Sequence, residues 1–265
     1  LTDLSGDAWF LSTPRGRNAF WQMWQWGKDV AQPEWQSWQM PSSVNPNLAQ
    51  SELDELQRTL SERAYRQEIL AEFIEDGAGV FRWVRAAATA SPQFARMMDH
   101  TYIFGVDWAR SEDFTVIVVF DVTTQAVVAL DRFNQIDYSI QVGRVQALAE
   151  KFKPLAIVAE TNSIGVPVIE QLRRQGLPVV GFTTTSASKQ IAIDALALAF
   201  ERRQISLLPD ETMIAELEAY SAERLAGGSI RYSAPSGLHD DTVMALAMAW
   251  HGASTNGSSF VMRYT

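Results

Sequence analysis

Three apolar runs follow one another between residues 102 and 133 with almost no chain between them. Residues 102–106, the β-branched run 114–122, and residues 126–133 each have the length and composition of a strand. The connections, residues 107–113 and 123–125, are too short for a crossover helix. Neighbouring strands must therefore turn back on one another as an antiparallel meander. After residue 138 the pattern changes to alternation. Helices are predicted near 139–152, 167–174, 189–203, 211–225 and 239–251. Strands are predicted at 155–160, 179–183, 205–208 and 229–233. Three hairpin strands followed by strand–helix alternation imply an α/β domain, with a mixed sheet and helices on both faces.

The first hundred residues differ in texture. They hold seven of the nine Trp, six of them before residue 39. A short strand is predicted at 8–13, stopped by Pro14 and a turn at Gly16. A helix is predicted at 18–26, where Phe20, Trp21 and Trp24 recur at helical spacing. Pro33, Pro41 and Pro46 make 32–47 an extended loop. Ser51 with Asp54 has the spacing of a capping box opening a helix through Leu53, Leu56 and Leu60. A second helix follows at 65–74, and Asp76-Gly77-Ala78-Gly79 breaks it. Residues 85–92 are Ala-rich and read as a linker or a surface helix. The early Trp cluster reads as core rather than as a base-stacking platform.

Composition removes several function classes. With 47% hydrophobic and 20% charged residues in 265, the chain can build a core and is not mainly disordered. Without Cys, disulfide scaffolds, thiolate zinc sites and cysteine nucleophiles are excluded. Three His (His100, His239, His251) make a multi-histidine metal site a poor expectation. No run of 18 apolar residues predicts a membrane span, and the first residues have no signal-peptide pattern. The net charge of −9 argues against a generic nucleic-acid binder. The acids are spread over both halves of the chain rather than gathered in a tail.

Some of those acids sit where open α/β sheets carry chemistry. Asp107 ends the first strand, Glu160 ends the strand at 155–160, and Asp240 and Asp241 open the last helix. Each borders a run that must be buried, so the side chains gather at the edge of the core. Gathering acids there costs repulsion unless a cation is bound. An oxygen-only set suits Mg²⁺ or Mn²⁺, and two such ions can activate a water and stabilise the leaving oxygen of a phosphodiester. Asp113, on the first turn, can reach back toward Asp107. Singly, each acid has a plainer reading: a turn residue for Asp107 and Asp113, a solvated strand end for Glu160, a helix cap for Asp240-Asp241. Their combination in one α/β unit is what points to a metal site.

The runs IFGVDWARSEDFTVIVVFD, IVAETNSIGVPVIEQL and HDDTVMALAMAW resemble the nuclease domain of tailed-phage terminase large subunits, the DNA-packaging motors. AWFLSTPRGRNAFW and RQEILAEFIEDGAGVF resemble the end of the packaging ATPase domain and the stretch leading from it. The resemblance implies an RNase H-like mixed sheet with a two-metal acidic site. It also implies residues 1–85 as a C-terminal remnant of the ATPase domain, 86–100 as a linker and 101–265 as the nuclease domain. On it, Asp107, Glu160 and Asp241 are catalytic and hold Mg²⁺ or Mn²⁺. Asp240 and Asp113 are accessory ligands. Lys189, Asn162 and Thr185 become candidate DNA-phosphate contacts, with Gly165 allowing close backbone approach. Plainer readings for these are a helix-start loop and a turn. His239 is a neighbour of the ligands or a base near the site, or else an ordinary helix-flanking residue. Arg15 and Arg17 match loop residues of the motor's coupling segment.

The expected function is metal-dependent cutting of concatemeric viral double-stranded DNA during packaging, with a small terminase subunit and the prohead portal as partners, in the cytoplasm of a bacterial host. No membrane partner is expected. No GxxxxGK[ST] loop and no apolar strand followed by Asp-Glu upstream of Ser12 occurs, so the chain reads as part of a longer protein without ATP binding or ATPase activity. Three other readings compete. A Holliday-junction resolvase or transposase-type nuclease shares the acid arrangement but leaves STPRGRN unexplained. An actin-like or sugar-kinase phosphotransferase needs a Gly-rich phosphate loop in a context that Gly227-Gly228 lacks. A non-enzymatic portal-docking or scaffold module makes the acids mere turns and caps.

Overall fold

The computed structural model describes residues 6–14, 19–73, 79–108, 114–162, 165–224, 230–235 and 238–261. The chain divides into two compact units: Leu1–Ala78 with Glu223–Arg231, and Gly79–Ala222 with Tyr232–Thr265.

The first unit carries α1 (Ala19–Trp26), α2 (Gln50–Thr59) and α3 (Glu62–Glu68). The strand expected at 8–13 is absent, because those residues have no backbone ladder partner among the described residues. The Ser51–Asp54 capping box does not form. The N-cap of α2 is Ala49, two residues earlier, which places Ser51 inside the first turn. The second helix ends at Glu68 rather than near residue 74, and its cap is Ser61, whose hydroxyl accepts from Ala64 N–H at 3.2 Å. The aromatic cluster packs ring on ring: Trp9 on Trp38 at 5.6 Å, Trp26 on Trp35 at 4.8 Å, Trp24 on Phe73 at 4.9 Å. It is not a closed core, since Trp9, Trp26 and Trp38 remain exposed.

The second unit holds α4 (Val84–Ala87) and a five-stranded sheet. Its strands are β1 (Tyr102–Asp107), β2 (Thr115–Asp121), β3 (Ala126–Phe133), β4 (Ala156–Glu160) and β5 (Val179–Phe182), in the order β3-β2-β1-β4-β5. The meander is antiparallel, and β4 and β5 extend it in parallel from β1. This is the predicted mixed sheet. α5 (Tyr138–Phe152) and α6 (Gly165–Arg174) bury Val142, Val145, Phe152 and Leu172 against Phe104, Val106, Ile157 and Ala159. α9 (Asp241–Val261) lies on the opposite face, with α7 (Ser186–Glu201) and α8 (Glu211–Ala219) beside it.

Several boundaries differ from expectation, among them the last helix, which starts at Asp241 rather than 239 and runs to Val261 rather than 251. The helix expected at 211–225 stops at Ala219, and Ser221–Arg224 becomes β6, paired with β7 (Ile230–Ser233). Pairing with β7, which begins six residues after β6 ends, overrides local helix propensity there. Residues 205–208 form only a single bridge, Ser206 to Ala126 at the edge of β3. Among the described residues, no helix is long and apolar enough to cross a membrane.

Candidate metal centre

Strand alternation decides which acids share a face. On β1, Phe104 and Val106 enter the core under α5, so Ile103, Gly105 and Asp107 point the other way, toward α9. On β4, Ile157 and Ala159 face α5, so Val158 and Glu160 face α9. In the parallel ladder Val106 stands opposite Ala159, which makes Asp107 and Glu160 neighbours at the ends of adjacent strands. α9 runs antiparallel to β1: Gly105 lies under Ala245 and Ala249, while Gly252 lies over Ile103 and Val158. Only a glycine fits at position 105, because a Cβ there would stand 1.9 Å from the Ala245 carbonyl oxygen. That close approach sets the first turn of α9, with Asp241 and the preceding Asp240, beside the strand ends.

The electrostatics follow from this packing. Burial pushes the Asp107 carboxyl well above the usual carboxylate range, and Glu160, Asp241 and Asp240 push it further. The Lys189 ammonium opposes them. Lys189, in the first turns of α7, meets Asp240 with Nζ 3.1 Å from Oδ2. Phe114 N–H donates to Asp241 Oδ2 at 3.2 Å, and His239 Nδ1 stands 3.7 Å from the same oxygen. The His239 ring also meets the Phe114 ring edge-on at 5.5 Å. Asp241 is thus steered by a backbone amide from the start of β2, as well as by its own helix.

Asp107, Glu160, Asp240, Asp241, Lys189 and His239 therefore converge. Asp113, Arg15 and Arg17 lie outside the described residues. Asn162 donates from Nδ2 to Thr184 O at 2.8 Å, which ties the segment after β4 to the one after β5. Thr185 is the N-cap of α7, and its hydroxyl accepts from Ser188 N–H at 3.1 Å. Sequence reasoning placed this helix start three residues too late, at Lys189, because the Thr183–Ser188 run reads as a loop. Tyr220 was missed altogether. Its hydroxyl is buried with no hydrogen-bond partner among the described residues, and Lys189 Nζ stands 5.7 Å from its ring centroid. Burial, then Asp240, Tyr232 and Asp107, raise its ionisation far above the phenol range. Glu216 and Arg132, also missed, are exterior-type residues on a helix and a strand, and no local pattern marks them.

An all-oxygen donor set of this kind fits a hard divalent cation. Half-buried Asp107, with three other carboxylates acting on it, is the position where such a cation would relieve the most repulsion. Among the described residues, no three of the acids are drawn closely enough to enclose an ion.

The Terminase RNaseH-like domain model matches residues 104–252, which span β1 to α9 and all four acids. The large terminase subunit of Thermus virus P23-45 is 30% identical over 274 aligned residues, covering 94% of this chain and 56% of that protein. The chain thus spans little more than half the length of that curated relative. Among solved structures, the large terminase nuclease of the thermophilic phage G20c is 30% identical with a TM-score of 0.60, covering 66% of this chain and 98% of that one. The same nuclease has been solved with bound magnesium and with bound cobalt. The acid-edged sheet, its strand order and these similarities lead to one conclusion: the chain belongs to the terminase large-subunit family and carries its RNase H-like nuclease-domain fold.

Proposed function

We propose that this chain is a divalent-metal-dependent endonuclease that cuts concatemeric viral double-stranded DNA during genome packaging. The observation that carries the reading is the convergence of Asp107, Glu160, Asp240 and Asp241, from three separate elements, on one partly buried edge of the sheet. Asp107, Glu160 and Asp241 are the catalytic ligands, and Asp240 and Asp113 are accessory ones. Mg²⁺ or Mn²⁺ held there, as a pair, would activate the attacking water and neutralise charge on the leaving oxygen.

The chain's own groups prepare that chemistry. Phe114 N–H and His239 hold Asp241 in place. Lys189 pairs with Asp240 and presents a cation for a DNA phosphate, with Asn162 and Thr185 just beyond the ends of β4 and β5. The site reads phosphate and shape rather than base edges, so little sequence preference is expected. Recognition of the viral sequence falls to a small terminase subunit, and grip on the DNA to the portal and the rest of the motor, in the host cytoplasm. Residues 1–85 serve as the end of an ATPase domain, 86–100 as the linker. Without a phosphate loop in these 265 residues, the chain hydrolyses no ATP.

Plasmid cleavage in Mn²⁺, Mg²⁺ or EDTA tests the reading, with Asp107→Ala and Asp241→Ala as controls. Nicking and linearisation that need metal and vanish in both variants are expected. Cleavage that survives EDTA or either substitution refutes it.

A further inference from the structure

Asp240 is the N-cap of α9: its carbonyl accepts the first helical bond, from Met244 N–H at 2.9 Å. An aspartate in that place ordinarily turns its side chain onto an amide of the first helical turn. Here one of those amides is taken by another residue. Thr242 N–H donates to Glu216 Oε2 at 2.9 Å, and the Thr242 hydroxyl donates to the same oxygen at 2.6 Å. Glu216 comes from α8 and is 8% exposed, so this is a built contact rather than a surface encounter. Its other oxygen meets Arg132 at 3.4 Å. The Arg132 guanidinium lies 3.4 Å over the Phe114 ring. Phe114, in turn, supplies the amide that holds Asp241. The Asp240 carboxylate, relieved of capping, meets Lys189 instead.

We infer that Glu216 is a positioning residue. It caps α9 from α8, and so leaves the Asp240 carboxylate turned toward the metal centre instead of onto its own helix. Through Arg132 and Phe114 the same carboxylate braces the residue that orients Asp241. The inference rests on the metal-centre reading proposed above. Its cost is explicable. A buried carboxylate is expensive unless paired, and Glu216 has an ion-pair partner and two donors. A fold that needed only a capped helix would have used Asp240 itself.

The test is a double-substitution cycle read by Mn²⁺ binding to the metal-free chain, by calorimetric titration and by the Mn²⁺-induced rise in Tm. Neither readout needs DNA or turnover. Glu216→Ala frees the Thr242 amide, and Asp240 swings back to cap it. Asp240→Asn removes the ligand directly. Each weakens Mn²⁺ binding by roughly tenfold, the lower end of the loss typical when a ligand's support is removed. The double variant binds no more weakly than the weaker single, because both changes delete the same contribution. Glu216→Gln keeps an acceptor for Thr242 and stays within about threefold of the wild type.

Additive losses, an unchanged Mn²⁺ affinity in Glu216→Ala, or a Gln variant as weak as the Ala variant each overturn the inference. So does a lower metal-free Tm with normal Mn²⁺ affinity, which would make Glu216 merely structural. If Glu216→Ala does not fold, Thr242→Val replaces it in the cycle and is expected to be weaker by about threefold and non-additive with Asp240→Asn. A wild-type chain that takes up no Mn²⁺ overturns the metal-centre reading itself, an outcome distinct from the others.

Discussion

Gly105→Ala tests how the sheet and α9 together make the site. The added Cβ would stand 1.9 Å from the Ala245 carbonyl oxygen, 2.6 Å from the Ala249 nitrogen and 2.9 Å from the Ala245 carbonyl carbon. All three are helix backbone, so no side-chain rotation can relieve the clash. Restoring an ordinary carbon–oxygen contact of about 3.3 Å lifts α9 off β1 by about 1.4 Å. Overpacking of this kind costs about 1–3 kcal/mol, and a backbone obstacle puts this case at the upper end. For a domain of this size that lowers the urea midpoint by about 1 M. The shift also carries Asp240 and Asp241 away from Asp107 and Glu160. A displacement near 1 Å at a reacting centre costs on the order of 10²-fold in rate. Urea unfolding in EDTA reads the first effect and Mn²⁺-dependent plasmid cleavage the second. Gly143→Ala is the control: it lies in α5 with nothing within 4 Å of an added Cβ, so it is neutral or gains up to about 1 kcal/mol. A Gly105→Ala chain with wild-type midpoint and cleavage rate would refute the claim that this glycine seats the helix.

Asp107 makes metal-free stability depend on pH. Its carboxyl is raised in the folded state, so its contribution is fully present below the ordinary Asp range, near pH 3.9, and is lost as pH rises through the raised value. Asp107→Asn removes that loss, so in EDTA its Tm advantage over the wild type grows from pH 4 upward; a constant difference up to pH 8 contradicts the electrostatic account. Lys189→Met removes the cation beside Asp240 and lowers the metal-free stability by about 1 kcal/mol, less in saturating Mn²⁺; an equal loss in both conditions would show that Lys189 acts through packing alone. Tyr220→Phe deletes a buried hydroxyl with no partner among the described residues, so differential scanning calorimetry in EDTA should show stability unchanged or raised by up to about 1 kcal/mol; a marked fall in Tm would mean the hydroxyl is bonded.

Much of the fold was legible because its strands are short and rich in β-branched residues, with β1 and β2 buried almost throughout. β1, β2 and β3 lie within a residue or so of their expected bounds, and the start of α9 falls at Asp241 as its acid pair suggested. Legibility failed where a segment's state is decided by its partner rather than by its own residues. Residues 221–224 carry no strong strand signal and become a strand only because 230–233 runs beside them. The α7 start was misplaced because its Thr185–Ser188 capping box does not have the Glu or Gln that marks the usual one.

The candidate site divides along the same line. Asp107, Glu160, Asp240 and Asp241 could be found from the sequence because each punctuates an apolar run, and burial of that run leaves its terminal acid at the core's edge. Strand alternation then puts Asp107 and Glu160 on one face. What the sequence could not contain is what surrounds them. Glu216 reaches Thr242 across 26 positions, and Lys189 reaches Asp240 across 51. Phe114 N–H meets Asp241 across 127. Such contacts leave no local trace, since a surface-type Glu or Lys has the same neighbours in sequence whether it faces water or a buried helix end. The pattern of apolar residues decided which elements form and where their acids stand. Only the packing of α8 and α9 on the sheet decided which of those acids is free, which is held, and what holds it.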